Sequence, residues 1–249
     1  MNSTSDKAGG KTTPRKPTAA AGPALSLQLA TGHYPKYVAF LRDKIGVGFR
    51  GRILELGAGA AWFTAELSKL PKVVEVIATD FTRNPEQAQA TEVFKALRAH
   101  EAKITRRQIS SQRLNFPDGH FDFVVCAGVL QDAMNLLLLL REVRRVLKPG
   151  GQLIAVREPV KPLVRWRTGR GAATGRIANQ LKAPLYSRAD YVDHFERAGF
   201  SLAVSRVSLA SGLRYYIDKM MNGLTHARYV FVATRKEKAG NGRSKKSPA

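Results

Sequence analysis

A single cysteine, Cys126, stands among the 249 residues. One thiol cannot form an internal disulfide framework or a cysteine-built zinc site, and it suits a reducing compartment; no metal ligand set is expected. Long apolar runs are missing as well. The longest aliphatic stretch, Leu136 to Leu140, falls far short of the roughly 20 residues a helix needs to cross a bilayer, so no membrane insertion is expected. Lysines, prolines and glycines interrupt the first apolar residues, unlike a secretory leader, and a cytoplasmic location is expected. Acids are scarce: 19 Asp and Glu face 41 Lys and Arg, for a net charge of +22. The closely spaced glycines Gly57 and Gly59 have no third partner at position 62, which is Trp. That disfavours a nicotinamide-dependent oxidoreductase, or a silent nucleotide-binding module built on a dinucleotide turn. No internal repeat is present.

The positive charge is unevenly spread. Residues 1–22 hold four bases and one acid, residues 235–249 six bases and one acid, and residues 161–189 seven bases and no acid. A field of this sign attracts polyanions such as RNA, anionic membrane surfaces or acidic metabolites. The plainer reading is an Arg-rich, solubilising composition.

One stretch organises the rest, Ile53-Leu54-Glu55-Leu56-Gly57-Ala58-Gly59-Ala60-Ala61-Trp62-Phe63-Thr64. Apolar residues lead through an acid into two glycines and then into small residues able to open a helix. This is the pattern of a buried parallel strand turning tightly into a helix, whose first N–H groups face a ligand above the strand end. Gly57 and Gly59 allow a sharp turn and close approach of the backbone. Glu55 stands where a carboxylate can accept bonds from ligand hydroxyls or an ammonium.

Residues 1–22, rich in Ser, Thr, Gly, Pro, Lys and Ala, read as a disordered basic tail, as do residues 235–249. Between them a single domain over 23–234 is expected. Residues 24–45 read as one or two helices, with Val38, Phe40 and Leu41 able to pack on a sheet. Strands are expected at 51–56, 73–80, 103–109, 121–126, 152–156, 201–208 and 227–234. Helices are expected at about 60–70, 85–100, 136–147 and 187–198, the last with a capping box from Ser187 to Asp190. Five alternations of strand and helix argue for a parallel sheet covered on both faces. Residues 161–186, with Trp166 and several arginines among three glycines, read as a cap on the acceptor side, or as a plain solvated loop. Residues 211–224 read as a loop with a short helix.

Three features are expected on one edge of the sheet: the Glu-x-Gly-x-Gly turn; Asp80, about 20 residues beyond that turn, where an acid can bind ribose hydroxyls; and the pair Phe116-Pro117-Asp118-Gly119-His120-Phe121-Asp122 and Leu147-Lys148-Pro149-Gly150-Gly151 framing strands four and five. Together they resemble the class I S-adenosylmethionine-dependent methyltransferases, in particular the small-molecule group with a type 11-like domain, over about residues 50–160 and more weakly 187–234. The resemblance implies a Rossmann-like, doubly wound α/β sheet of about seven strands, mostly parallel with an antiparallel last strand, and S-adenosyl-L-methionine as cofactor. Gly57, Ala58 and Gly59 then hold the methionine part of the cofactor, with Glu55 supporting them. Asp80 grips the ribose and Phe81 lines the adenine pocket. Ser110 and Ser111 fall where relatives carry an acid, for the adenine amine, followed by a small residue. Ala61 replaces a common glycine, and because alanine suits a first helical turn little loss is expected. Cys126, ending strand four, is placed beside the cofactor as a small core thiol rather than a nucleophile.

Methyl transfer is an in-line displacement at carbon already activated by positive sulfur, so positioning and desolvation can supply most of the acceleration. A base is needed only where the acceptor must lose a proton. Gln131 and Asp132 fall where many relatives have a His pair, and they are the first candidates to orient or deprotonate the acceptor. The plainer role for Asp132 is a helix N-cap. Arg157 and Glu158 are a second choice. His120, in a polar turn, reads as solvated, and His33, Tyr34 and Tyr37 as either an aromatic lid or ordinary helix packing. The expected reaction is methyl transfer to a small or medium-sized acceptor, with an anionic one suited to the basic 161–186 segment. The alternative is an RNA methyltransferase using the tails and Arg-rich segment to bind phosphates; no RNA-binding module or base-methylation motif is present.

Overall fold

The computed structural model describes residues 35–81, 85–109, 113–158, 160–161, 186–207 and 229–237. A helix, α1, covers residues 35–43, with Pro35 in its first turn, where a missing N–H costs nothing. The strands are β1 (Gly51–Leu56), β2 (Val73–Asp80), β3 (Ile104–Gln108), β4 (Phe121–Ala127), β5 (Leu147–Glu158), β6 (Phe200–Arg206) and β7 (Tyr229–Arg235). The further helices are α2 (Trp62–Ser68), α3 (Ala90–Leu97), α4 (Leu136–Val146) and α5 (Arg188–Arg197). One seven-stranded sheet forms in the order β3-β2-β1-β4-β5-β7-β6. The first five strands are parallel, and β7 runs antiparallel to both neighbours. This is the expected doubly wound α/β sheet with an antiparallel last strand.

Two apolar layers cover the sheet. On one face Tyr37, Val38 and Leu41 of α1 join Phe63 and Leu67 of α2 and Val93 and Phe94 of α3. On the other, Leu136, Leu139, Leu140 and Val143 of α4 meet Tyr191 and Phe195 of α5. The buried residues of α4 recur at spacings of three and four, the period of a helix face. The capping box of α5 is present: Asp190 N donates to Ser187 Oγ at 3.1 Å, and Ser187 N to Asp190 Oδ2 at 2.7 Å. Among the described residues no helix is long and apolar enough to cross a membrane.

Several expectations need correction. The helix expected over 85–100 is a 3-10 turn, Pro85–Gln89, followed by the shorter α3. Strand five begins at Leu147 rather than 152: Phe121 lies opposite Leu147 and Phe123 opposite Gln152, so the Lys-Pro-Gly-Gly segment is a bulge inside the strand. Ala61 does not occupy a first helical turn. It is the N-cap of α2 in the left-handed region, at φ 57, where a Cβ is strained by about 1–2 kcal/mol, so the glycine it replaces had a backbone reason.

The third expected feature lies on the wrong edge for a ligand site. Phe116 to Asp122 leads into β4 and Leu147 to Gly151 opens β5, so in a parallel sheet both sit at the strands' N-terminal ends, opposite the glycine turn. Their role there is structural. Asp122 accepts from Lys148 Nζ at 2.8 Å and from Arg52 N at 2.9 Å. Burial works against its charge, but the lysine and the amide outweigh that and hold the carboxyl below its ordinary range. A side chain at Gly51 would overlap this carboxylate. Arg145 of α4 binds the carbonyls of Leu114 at 2.7 Å and Phe116 at 2.8 Å, fixing the segment before β4. His120 belongs to this lower edge, its ring edge-on to Phe121, away from any ligand.

The expected tail over 1–22, positions 238–249 of the second tail, 162–185 of the expected cap, the 211–224 segment, and His33, Tyr34, Ser110 and Ser111 lie outside the described residues.

Candidate active site

The strand order reverses between β1 and β4, and in open α/β sheets a ligand crevice forms above such a reversal at the carboxyl ends. Two loops meet there. Gly57 (φ 64) and Gly59 (φ 53) make the turn after β1, and Ala58 N donates to Thr79 O at 2.9 Å, tying the turn to β2. A Cβ on Gly57 would stand 2.5 Å from Val129 Cγ2, so only glycine lets the loop after β4 close against this turn.

Asp80 ends β2, 6% exposed, and its Oδ1 accepts from Gly59 N at 2.9 Å. Its Oδ2 makes no hydrogen bond among the described residues. The acid and the glycine turn are thus one unit, with one carboxylate oxygen left to accept from a ligand. Phe81 follows, half-buried against the core. β3 ends beside it, where Ile109 N donates to Asp80 O at 3.0 Å.

Glu55 has a different place from the one expected. It is 1% exposed, and its Oε2 accepts from Thr64 N at 2.8 Å and from the Thr64 hydroxyl. The carboxylate braces the first turn of α2 from beneath the glycine turn rather than standing open to ligand hydroxyls. Burial pushes it up to about 8, against the pull of both Thr64 bonds and with a smaller push from the Asp80 charge.

The loop after β4 carries a 3-10 turn, Leu130–Asp132. Gln131 Oε1 is buried with no hydrogen-bond partner among the described residues, and an orphaned acceptor of this kind is costly unless a donor reaches it. Asp132 is exposed at the rim, its carboxyl raised by partial burial. It does not cap α4: Asn135 does, accepting from Leu138 N at 3.0 Å. Met134 beside it is 85% exposed. Below the turn, Cys126 is buried and its Sγ lies 3.7 Å from Glu158 Oε1. Burial pushes the thiol up, with the Glu158 carboxylate adding to the effect, so it is inert as a nucleophile.

Residues 54–155 match the methyltransferase domain family. Over these residues the chain is similar to a methyltransferase domain. It is 28% identical over 131 residues to a ubiquinone/menaquinone biosynthesis C-methyltransferase, UbiE, of Geobacter sp. strain M21, covering 52% of this chain and 55% of that protein. It is 31% identical over 113 residues to a demethylmenaquinone methyltransferase of Mycobacterium marinum, covering 45% of this chain and 44% of that one. The matched region therefore spans about half the length of these relatives. The fold is shared with an S-adenosylmethionine-dependent methyltransferase of Mesorhizobium loti, at TM-score 0.61 and 18% identity over 83% of this chain and all (100%) of that one.

The residues present fit S-adenosylmethionine. Asp80 Oδ2 is an acceptor open to a molecule that brings hydroxyl donors, and the orphaned Gln131 Oε1 stands apart from it in the loop after β4. Beneath the two turns lie two buried acids, Glu55 and Glu158. Two features of this site escape sequence reading: Thr64 as partner of Glu55, and Glu158 beneath the 3-10 turn. The only sequence signal for either is a polar residue at an otherwise apolar position.

Proposed function

We propose that this protein transfers a methyl group from S-adenosylmethionine to a small or medium-sized acceptor bound over the ends of β1 and β4. The bond from Gly59 N to Asp80 Oδ1 carries the reading, because it joins the glycine turn and the acid into one ligand-binding unit. Asp80 and the turn would hold the cofactor, with Phe81 beside the adenine. Ser110 and Ser111 remain candidates for its amine, and Cys126 and Ala58 pack under it. The cofactor supplies a methyl carbon activated by positive sulfur. The chain's own work is to orient, to exclude water and, where the acceptor must lose a proton, to receive it. Gln131 and Asp132 would do this, Asp132 as base and Gln131 as an orienting acceptor of a hydrogen bond.

A quinone-type, apolar acceptor suits both the relatives' names and the rim, where Met134 is 85% and Leu138 43% exposed. The RNA alternative rests on net charge alone, since most of the basic segments lie outside the described residues. A cytoplasmic location agrees with the free thiol.

Two measurements test the reading. Calorimetry should show S-adenosylmethionine binding. Incubation of the protein with the methyl-tritiated cofactor and demethylmenaquinol, a lipid extract or total RNA should put label into an organic-soluble small molecule. Label only in RNA would replace the proposed acceptor, and failure to bind the cofactor would overturn the reading.

A further inference from the structure

Glu158, at the end of β5, is 2% exposed, yet it carries a carboxylate. Its Oε1 accepts from Val129 N at 2.9 Å and its Oε2 from Leu130 N at 3.0 Å. The Gln131 amide bonds to it as well, and the Cys126 thiol donates at 3.7 Å. One side chain therefore takes up successive backbone donors at the start of the 3-10 turn, the groups that an N-cap satisfies in a longer helix. Buried, it cannot touch an acceptor, which removes it as a candidate base.

The strand is distorted to put it there. Val156 lies opposite Val230 and Glu158 opposite Tyr229, so Arg157 is the extra residue of a bulge. Arg157 holds φ 59, in the left-handed region that non-glycine residues avoid. A strained residue and a buried acid side by side, at the edge of a ligand crevice, mark a functional arrangement rather than an economical core. The turn they support carries both acceptor-side candidates, and its other flank is pressed against Gly57 through Val129.

We propose that Glu158 is the positioning residue of the acceptor-side loop, holding the 129–132 turn so that Gln131 and Asp132 keep one place above the strand ends. Its functional half rests on the methyl-transfer reading. Burial pushes the Glu158 carboxyl up to about 7, against the amides that favour its charge, so the grip tightens as pH rises through neutrality. The titratable groups around it are Cys126 of β4, Tyr191 of α5, Tyr229 of β7, Asp132 of the turn itself and, beyond Cys126, Glu55 of β1. Tyr191 is pushed up by burial and by the Glu158 charge, and Cys126 by burial. Both stay protonated across neutral pH, and Glu55, raised to about 8, bonds to Thr64 rather than to the turn, so Glu158 is the titrating group that bonds to the 129–131 amides.

Amide hydrogen exchange on the full chain tests the anchoring. With intrinsic rates divided out, protection at Val129, Leu130 and Gln131 should rise through neutral pH in the wild type. In Glu158→Gln it should be flat and about 10- to 100-fold lower, the loss expected for bonds to a charged acceptor. S-adenosylhomocysteine affinity should stay within about threefold, since Asp80 and the glycine turn are untouched, while tritiated methyl transfer into the lipid extract falls, the signature of lost orientation rather than lost binding. Unchanged protection in the variant overturns the proposal, as does a wild-type profile without a rise through neutrality, which needs no variant to fold. Joint loss of protection and S-adenosylhomocysteine binding also overturns it, because Glu158 would then support the whole sheet edge. If the wild type binds no S-adenosylhomocysteine, the methyl-transfer reading falls with the functional half, and the exchange profile still decides the anchoring.

Discussion

Replacing Glu55 by Gln should make the ligand-free protein less sensitive to rising pH. In the wild type the acid is 1% exposed and pushed up to about 8, chiefly by burial. An unfolded chain ionises it near its ordinary value, so between the two values the folded state holds one proton more than the unfolded state. Stability from this group is therefore full below the ordinary carboxylate range and is lost as pH rises through about 8. At about 1.4 kcal/mol per pH unit, the loss between about pH 5 and about pH 8 comes to roughly 3–4 kcal/mol. That is a large part of the roughly 5–15 kcal/mol of a typical domain. Glutamine keeps an oxygen where Oε2 accepts from Thr64 and has no charge to desolvate. Urea unfolding across this pH window, at unchanged m-value, should show the wild type losing stability by about one proton's slope more than Glu55→Gln. Glu158 titrates in both proteins and cancels. Parallel slopes would refute the argument, because Glu55 would then be ionised in the folded state. Calorimetry in buffers of different ionisation enthalpy should also show the wild type releasing a proton on binding the cationic cofactor, and the variant releasing less.

Two further outcomes separate the edges of the sheet. Asp80→Ala should weaken S-adenosylmethionine binding by about 1–3 kcal/mol, roughly 5- to 150-fold, by calorimetry, since it removes both the Gly59 partner and the free oxygen. Asp122→Ala should lower unfolding stability by about 1–3 kcal/mol by stranding the Arg52 amide and Lys148, yet leave cofactor affinity unchanged, because it braces the opposite ends of the strands.

Much of the fold is legible from local pattern. Val73 to Asp80 and Phe121 to Cys126 read as strands because buried β-branched and aromatic runs leave few alternatives. Ser187 with Asp190 marks a helix start through bonds that span three residues. The turn at Gly57 and Gly59 and the acid at Asp80 are legible for the same reason: turn chemistry and strand ends are local. The reading of Ala61 fails on a single dihedral angle, since its helix begins at Trp62 rather than at about residue 60 and leaves Ala61 as the N-cap. The edge assignment fails for a different cause. The Phe116 to Asp122 and Lys148 to Gly151 segments frame strands in the sequence, but strand direction decides which end of the sheet they occupy, and a parallel sheet puts both below.

What the sequence alone determined is the order of elements and the glycine turn after β1, since helix period, strand alternation and glycine turns are written within a few residues of one another. Only the tertiary structure decided where the acids point. Glu55 turns inward to Thr64, Asp122 reaches Arg52 across 70 residues, and Glu158 reaches back 29 and 28 residues to the amides of Val129 and Leu130. Such partners are chosen by register and by which strand lies next to which. A carboxylate in apolar surroundings must find donors wherever the fold brings them, and no local pattern names them in advance.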